Sequence, residues 1–313
     1  MNITNKGAQM DYALGVDIGG TGTAFGAVSR SGEIVCRGSV PSTGQKTFEE
    51  FAAVLRAECE RVCRQAGVWN HLVGVGVGAP AVDANGVISG AAELKWPTPI
   101  NVPAALSTAF GLPARAANDA NAAAVGEMMY GAARGMTDFI ELTLGTGVGS
   151  GIVSNGRLLL GNHGLAGELG HIIVEPGGRQ CGCGRKGCLE TYCAAAGIVR
   201  TARELLEDSE AELTPKLIYN AAVQGQNWAI ETFRRAGEAL GTACANFVAF
   251  TAPQAIILFG GVTGAGYFLM DPLKKAFRRD LLFLYKDSVK ILTSTLPSGD
   301  AAILGASALA WNL

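Results

Sequence analysis

Charged and aromatic residues are both scarce in this sequence. Of its 313 residues, 17% are charged, 7% are aromatic and three are histidines, whereas 49% are hydrophobic. The net charge is −2, and the basic residues form no block. Proteins that bind nucleic acid through its phosphates need clustered lysine and arginine. We therefore expect a chain that buries a large core and has no nucleic-acid partner.

Long apolar runs are also missing. The longest apolar region, residues 243–262, is interrupted by Asn246, Pro253 and Gln254, so it is not predicted to cross a membrane. The first ten residues contain no apolar stretch of the kind found in signal peptides. We expect a cytoplasmic protein with no membrane partner, in a compartment where thiols stay reduced.

Glycine, in contrast, is abundant, with 43 residues, roughly twice its average usage. Apolar strand patterns end in glycine-rich turns and alternate with helical patterns, which is typical of the α/β class. Residues 26–35 resemble residues 151–159, 125 positions further on, which indicates a duplicated unit of strands and turns. Two ordinary β-hairpins would give the same pattern.

The duplication predicts two domains. We place a small N-terminal α/β domain at residues 1–121 and a larger one, with a cysteine-rich loop, at residues 122–300. Residues 301–313 are predicted to form a closing helix that can pack back on the first domain.

Two glycine-rich turns have the composition of phosphate-binding loops, although the G-x-x-x-x-G-K-[ST] motif is absent. The first, Asp17-Ile-Gly-Gly-Thr-Gly-Thr23, follows a strand that ends in an acid. Glycine lets backbone N–H groups approach phosphate oxygens, threonine hydroxyls donate further bonds, and the acid can face Mg²⁺. The second, Leu144-Gly-Thr-Gly-Val-Gly149, repeats this pattern without the acid. Together they could hold a polyphosphate from two sides; a tight hairpin capped by Asp17 is the structural alternative.

A third motif, Asn118-Asp119 followed by a helical pattern, has two interpretations. Asp is a favoured N-cap, so the residue can simply start the helix. It can also act as a general base that accepts a hydroxyl proton during phosphoryl transfer.

The fourth motif combines one histidine with three cysteines, at His171, Cys181, Cys183 and Cys188. Three thiolates and one imidazole make a closed tetrahedral zinc site. A redox pair or chance clustering is the alternative. Such a zinc ion would be structural and would fix a loop that carries Glu168, His171 and Glu190. The other cysteines are interpreted as small core residues: Cys36, Cys59, Cys63, Cys193 and Cys244.

The order of these motifs along the chain resembles that of the ROK family of repressors, open reading frames and sugar kinases. The resemblance extends from about Leu14 to Leu309, and residues 189–197 are most similar to the bacterial glucokinase branch. It rests on the following segments: Asp17-Ile-Gly-Gly-Thr, Asn118-Asp-Ala-Asn-Ala-Ala, Leu144-Gly-Thr-Gly-Val-Gly, Glu168-Leu-Gly-His, Cys181-Gly-Cys-Gly-Arg-Lys-Gly-Cys-Leu-Glu and Gly260-Gly261.

The resemblance implies an actin-like ATPase (ribonuclease H-like) fold with two duplicated α/β domains around a central cleft. It implies ATP-dependent phosphorylation of glucose at the 6-hydroxyl, with Asp119 as general base, Mg²⁺ as cofactor and a homodimer as the assembly. It assigns the sugar to Gly78, Asn118, Asp119, Glu168, His171 and Glu190. It assigns ATP to Asp17, Gly19, Gly20, Thr21, Thr23, Gly145, Thr146, Gly147, Gly260 and Gly261. It also implies a structural zinc ion held by His171, Cys181, Cys183 and Cys188.

Two positions depart from the family pattern. Gly22 stands where many members have lysine, and Glu93 where many glucokinases have a sugar-binding asparagine. Another hexose therefore stays an alternative substrate: N-acetylmannosamine, N-acetylglucosamine, allose or fructose. A sugar-sensing regulator is a further alternative, but the 13 residues before Leu14 are too few for a helix-turn-helix. We therefore expect an enzyme.

Overall fold

The computed structural model describes residues 10–90 and 94–311. The chain forms two compact units. The first takes in the chain up to Arg134, Leu160–Leu165 and the chain from Gly299 onward, and the second takes in Gly135–Leu159 and Ala166–Ser298. The domain boundary predicted from the sequence falls earlier, after Asn121, and stays a prediction about folding domains.

Twelve strands and nine α-helices lie within the described residues. The strands are β1 (Tyr12–Ile18), β2 (Gly22–Ser29), β3 (Ile34–Pro41), β4 (Leu72–Gly78), β5 (Val87–Ile88), β6 (Ile100–Asn101), β7 (Ala114–Ala117), β8 (Phe139–Leu144), β9 (Val148–Ser154), β10 (Arg157–Leu158), β11 (Ala255–Phe259) and β12 (Lys290–Thr293). The helices are α1 (Phe48–Gln65), α2 (Val102–Phe110), α3 (Asp119–Tyr130), α4 (Glu190–Cys193), α5 (Ala195–Leu206), α6 (Pro215–Val223), α7 (Asn227–Thr251), α8 (Tyr267–Asp280) and α9 (Ala301–Ala310).

The sheet of the first unit has the strand order β3-β2-β1-β4-β7. Strands β1, β2 and β3 form an antiparallel meander, whereas β4 and β7 run parallel to β1. The apolar runs predicted as strands are therefore strands, and β1 is buried along almost its whole length. Because β1, β4 and β7 are parallel, their carboxyl ends lie at one edge of the sheet, where ligands bind in open α/β sheets.

The sheet of the second unit repeats this arrangement, with the order β10-β9-β8-β11-β12. Its first three strands again form an antiparallel meander, and β11 and β12 run parallel to β8. Two unrelated hairpins would share only the meander, not the parallel strands that follow it. The internal duplication predicted from residues 26–35 and 151–159 is therefore confirmed.

The C-terminal helix α9 packs on the sheet of the first unit. Its residues are buried almost without exception, and its backbone lies against Gly15 of β1 and Gly76 of β4. A Cβ atom on Gly76 would collide with the carbonyl oxygen of Ala306. Glycine is required there because the helix backbone approaches the strand directly.

The predicted helices are also confirmed. In α1 the apolar positions at helical spacing, among them Phe51, Leu55 and Cys59, face the core, and the Thr47 side chain accepts a hydrogen bond from the Glu50 N–H at its start. Residues 224–226 separate α6 from α7. Within the described residues, the helices are all too short or too polar to span a bilayer.

Candidate active site

Three strand ends of the first unit bring the polar residues of its candidate site together. Asp17 pairs in register with Gly78, and Gly78 with Ala117, immediately before Asn118 and Asp119. A Cβ atom on Gly78 would lie 3.8 Å from a carboxylate oxygen of Asp17. The strand register thus gathers residues that are about 100 positions apart in the sequence.

The start of α3 distinguishes the roles of Asn118 and Asp119. Asn118 is the N-cap, and its Oδ1 accepts a hydrogen bond of 2.7 Å from the Asn121 N–H. Asp119 is the first helical residue; its Oδ1 accepts from the Ala120 N–H at 2.9 Å, and the residue is exposed. The capping task belongs to Asn118, so the Asp119 carboxylate is not needed to start the helix. The helix N-terminus also favours a negative charge there.

The two acids of this edge interact. The pKa of Asp17 is raised from its ordinary value near 3.8 to about 6, mainly by burial and also by the neighbouring negative charge of Asp119. A buried carboxylate beside a second negative charge is a natural partner for a divalent cation, which would favour its ionised form.

The first glycine loop is a tight connection between β1 and β2. The Gly19 N–H donates to the Gly22 carbonyl at 3.1 Å, and the Ser42 N–H donates to the Thr21 carbonyl at 3.2 Å. Thr21 is exposed, whereas Thr23 is fully buried and its hydroxyl lies 2.8 Å from that of Ser42. In this conformation the Thr23 hydroxyl is used to fix the loop against the end of β3.

In the second unit, two further glycine segments meet. Gly260 has a φ of +102°, and its Cα packs so closely on Leu144 that a Cβ atom there would collide with the Leu144 carbonyl oxygen. Gly145 and Gly261 line one cavity of about 470 Å³. The remaining wall of this cavity consists mainly of α6 and α7 residues and of the Gly261–Ala265 turn, and includes Thr214, Pro215, Lys216, Tyr219, Phe233 and Val262.

The wall residues from α6 and α7 were not predicted as site residues. Thr214 and Pro215 do carry a helix-start signature, since Thr214 is the N-cap and Pro215 the first helical residue. That signature locates the helix but not the cavity. A cavity of about this volume with mainly apolar walls suits a flat heterocycle.

The loop that carries Glu168 and His171 is fixed by Ser150 of β9. The buried Ser150 hydroxyl donates to the Gly167 carbonyl and accepts from the Leu169 N–H at 3.2 Å. Because Ser150 follows the second glycine loop directly, both loops are fixed to the same strand. The sequence offered no signal for this contact, since a serine in a strand is ordinary.

His171 lies between two carboxylates. Its Nδ1 is 3.6 Å from Glu190 Oε1, and its Nε2 is 4.0 Å from Glu168 Oε2. Glu190 also lies beside the glycine loop, because a Cβ atom on Gly147 would be 3.0 Å from Glu190 Oε2. The structure thus brings Glu168, His171, Glu190 and the loop at Gly145–Gly147 together within the second unit.

The histidine and three cysteines of the fourth motif also cluster. The ligand atoms of His171, Cys181, Cys183 and Cys188 all lie within 4.8 Å of one another. The Cys183 and Cys188 sulfurs are 3.7 Å apart, and Cys181 Sγ is 3.6 Å from His171 Nδ1. Around a tetrahedral zinc ion, two sulfurs lie roughly 3.8 Å apart and a sulfur and an imidazole nitrogen roughly 3.6 Å apart. The four residues therefore have the geometry of a metal site.

The remaining predicted positions within the described residues lie in the two glycine loops. Gly20 belongs to the first glycine loop, and Thr146 is exposed in the second. Glu93 lies outside the described residues, so its departure from the family pattern has no structural account.

Comparison with known proteins identifies the family. The ROK family model matches residues 13–312. The chain belongs to the ROK family. It is 35% identical to a glucokinase from Halalkalibacterium halodurans over 94% of this chain and 93% of that protein, and 32% identical to an N-acetylmannosamine kinase from Escherichia coli over 95% and 97%. The resemblance inferred from the motifs is therefore confirmed.

A solved structure supports the fold. The crystal structure of a ROK family glucokinase from Streptomyces griseus in complex with glucose and AMPPNP is 33% identical, with a TM-score of 0.76 over 96% of this chain and 100% of that one. The chain has the actin-like ATPase fold, as the sequence predicted.

The pKa of Asp17 generates a prediction about stability. Because the pKa of Asp17 is higher in the folded chain, the unfolded chain loses the Asp17 carboxyl proton at a lower pH than the folded chain does. The free energy of unfolding therefore falls as the pH rises from 4 to 6. We expect Asp17→Asn to raise the free energy of unfolding at pH 7 by about 1–2 kcal/mol, after allowing for partial solvent exposure. The difference from the parent protein should shrink towards zero near pH 4. Urea unfolding at both pH values measures it.

Asp119→Asn is the matched comparison, because it removes only the second cause of the Asp17 shift. It should give a smaller gain at pH 7 than Asp17→Asn. A parent protein that is more stable than Asp17→Asn at pH 7 would contradict the interpretation.

Proposed function

We propose that the protein is an ATP-dependent hexose kinase that phosphorylates glucose at the 6-hydroxyl. The observation that carries this proposal is the exposed Asp119 carboxylate, which is free of the capping task and lies at the same sheet edge as Asp17. The kinase names of the ROK relatives support it. The glycine loops and the acid pair also favour a kinase over a sugar-sensing regulator, which would not need to bind the phosphates of ATP.

Asp119 acts as the general base in this proposal. Its carboxylate accepts the proton of the sugar 6-hydroxyl as the oxygen attacks the γ-phosphorus, and ADP leaves. Mg²⁺ bound with ATP would neutralise charge on the phosphates, and Asp17 is the residue that would hold it. The backbone N–H groups of Gly19–Thr21 and of Gly145–Gly147 bind phosphate oxygens. Catalysis is then mostly positioning and electrostatic stabilisation.

The cavity beside Gly145 and Gly261 is proposed as the adenosine pocket. Its apolar wall can pack against the base, and the Lys216 ammonium, 4.9 Å from the centre of the Tyr219 ring, adds a positive charge at its rim. Glu168, His171 and Glu190 are proposed to exchange hydrogen bonds with the sugar hydroxyls, and Asn118 and Gly78 are proposed as further sugar-binding residues.

Replacing the base tests the proposal. Asp119→Asn should lower kcat by about 10²–10⁴-fold, because an amide cannot take the hydroxyl proton, while the dissociation constant for sugar stays within a few-fold. Coupled ADP release and calorimetric sugar binding measure the two quantities.

Asp11→Asn is the control, since it makes the same change at an exposed position of the first unit. Asp119→Asn turnover equal to that of this control would refute the base assignment.

The choice of hexose is a separate prediction. Glucose is proposed first because the glucokinase relatives cover nearly the whole chain, and N-acetylmannosamine is the main competitor because a kinase for it is also a relative. A pocket shaped for a 2-hydroxyl rejects the bulkier acetamido group, so we expect kcat/KM for glucose to exceed that for N-acetylmannosamine about tenfold or more.

The panel should also include N-acetylglucosamine, allose and fructose at fixed ATP concentration. A higher kcat/KM for any of them would reassign the substrate while leaving the kinase proposal intact. If none of the five sugars is phosphorylated, both the substrate proposal and the kinase proposal are rejected.

Zinc is proposed as the occupant of the cluster at His171, Cys181, Cys183 and Cys188. The donor set of three sulfurs and one nitrogen and their separations fit a closed structural zinc site. Such an ion would bind His171 and so fix the loop that also carries Glu168. The His171 Nε2 and the Glu168 carboxylate would then face outward. A homodimer, which the family resemblance implies, and a cytoplasmic location, which the lack of apolar runs indicates, stay predictions.

Removal of one ligand tests the zinc proposal. Metal analysis should find about one zinc ion per chain, and Cys183→Ser should lose it. The KM for sugar should then rise about tenfold or more, with a smaller change in the KM for ATP, because the metal supports the loop with Glu168.

Arg185→Ser is the control, because it changes an exposed residue of the same loop that is not a ligand. A zinc-free parent protein, or a Cys183→Ser variant with parental zinc content and kinetics, would overturn the proposal.

A further inference from the structure

A second group of cysteines lies in the first unit, apart from the metal cluster. Cys36 belongs to β3, the outermost strand of its sheet, and Cys59 and Cys63 lie one turn apart on the buried face of α1. The Cys36 and Cys63 sulfurs are 3.6 Å apart, although the residues are 27 positions apart in the sequence. Both residues were interpreted from the sequence as small core residues, and in the structure they are neighbours.

The two thiols differ in accessibility. Cys36 is half-buried on the edge strand, whereas Cys63 and Cys59 have no exposed surface. A small solute can therefore reach Cys36 from solvent, and Cys63 only through Cys36. This is the arrangement of an attacking thiol and a resolving thiol.

The surroundings of Cys36 also favour its thiolate. The hydrogen bond that Cys36 shares with Cys63 lowers the pKa of Cys36 to about 7, together with one from the backbone N–H of Ala27 and against the opposing effect of burial. The same hydrogen bond and burial raise the pKa of Cys63, and burial and the neighbouring Cys36 raise that of Cys59. Cys36 is therefore the nucleophile of the group, because the thiolate is the reactive form.

We propose that Cys36 and Cys63 form a site of reversible oxidation, at which a hydroperoxide is reduced and a disulfide is formed. The two sulfurs need to approach by about 1.5 Å to reach the disulfide distance. Rotation of the two side chains can supply this, since one thiol lies on a strand and the other on the helix that covers it.

The reaction balances in two steps. The Cys36 thiolate attacks one oxygen of hydrogen peroxide, so that a sulfur–oxygen bond forms, the oxygen–oxygen bond breaks and hydroxide leaves. The Cys63 thiol then loses its proton and attacks the sulfenic sulfur of Cys36; a sulfur–sulfur bond forms and a second hydroxide leaves. Two thiols are oxidised by two electrons, one hydrogen peroxide is reduced, and the released protons convert both hydroxides to water.

The resolving step is helped by the first. Once Cys36 is a neutral sulfenic acid, its negative charge no longer opposes ionisation of Cys63. The same neighbour that suppresses the Cys63 thiolate in the reduced protein is thus removed when the thiolate is needed. Cys59 points to the same face of α1 but is covered completely, and we assign it no step.

Peptide mapping of the whole protein tests the proposal. The zinc-loaded protein is treated with one equivalent of hydrogen peroxide, the remaining thiols are alkylated, and the peptides are analysed by mass spectrometry. We expect a Cys36–Cys63 cross-linked peptide, and its loss after dithiothreitol. An unreacted Cys36, a Cys36 oxidised only to sulfinic acid, or a cross-link that uses Cys59 would each overturn the proposal.

Two variants separate the roles of the thiols. In Cys63→Ser, dimedone should trap a sulfenic acid on Cys36, whereas in Cys36→Ser neither a cross-link nor an adduct on Cys63 should appear. Cys244→Ser is the control, because Cys244 is a buried cysteine of the second unit and the Cys36–Cys63 peptide should still form. If a variant does not fold, the mapping of the unchanged protein decides by itself.

Discussion

The Asp17 and Asp119 carboxylates lie at one sheet edge although the negative charge of Asp119 opposes the ionisation of Asp17. Neither can be moved away independently, because Asp17 is the last residue but one of β1, Asp119 begins the helix after β7, and the two strands are in register with β4 between them. Burial and repulsion raise the pKa of Asp17 to about 6. A fold that keeps such a pair loses stability, and acids kept at this cost are characteristic of functional sites.

The helix that follows β7 lessens the cost for one of the two acids. Asn118 takes the capping task, so Asp119 lies where the helix N-terminus favours a negative charge while its carboxylate stays exposed. Asp17 is mostly buried, and burial is the main cause of its raised pKa. The local backbone thereby gives the two acids of this edge different surroundings.

Much of this could be predicted from the sequence because the determining patterns are local. Apolar strand patterns, glycine turns and closely spaced ligands such as Cys181, Cys183 and Cys188 are visible without any knowledge of packing, and they led to the duplication, the fold and the metal cluster. The Ser150 contact with the Glu168 loop, the α6 wall of the cavity and the Cys36–Cys63 pair were not predicted. Each depends on residues that only the folded chain brings together, and each uses a residue type that is ordinary in its own segment.

The duplication explains why one scaffold carries two kinds of chemistry. Asp17 precedes the last residue of β1, and Thr143 holds the corresponding place in β8, where its hydroxyl donates to Glu141 at 2.8 Å. The two sheets share their strand order, so the backbone offers the same turn in both units. The second copy has a neutral residue at this position, and its unit supplies a glycine loop, an apolar cavity and a loop fixed by Ser150. The fold repeats, and the side chains at equivalent positions decide the task of each copy.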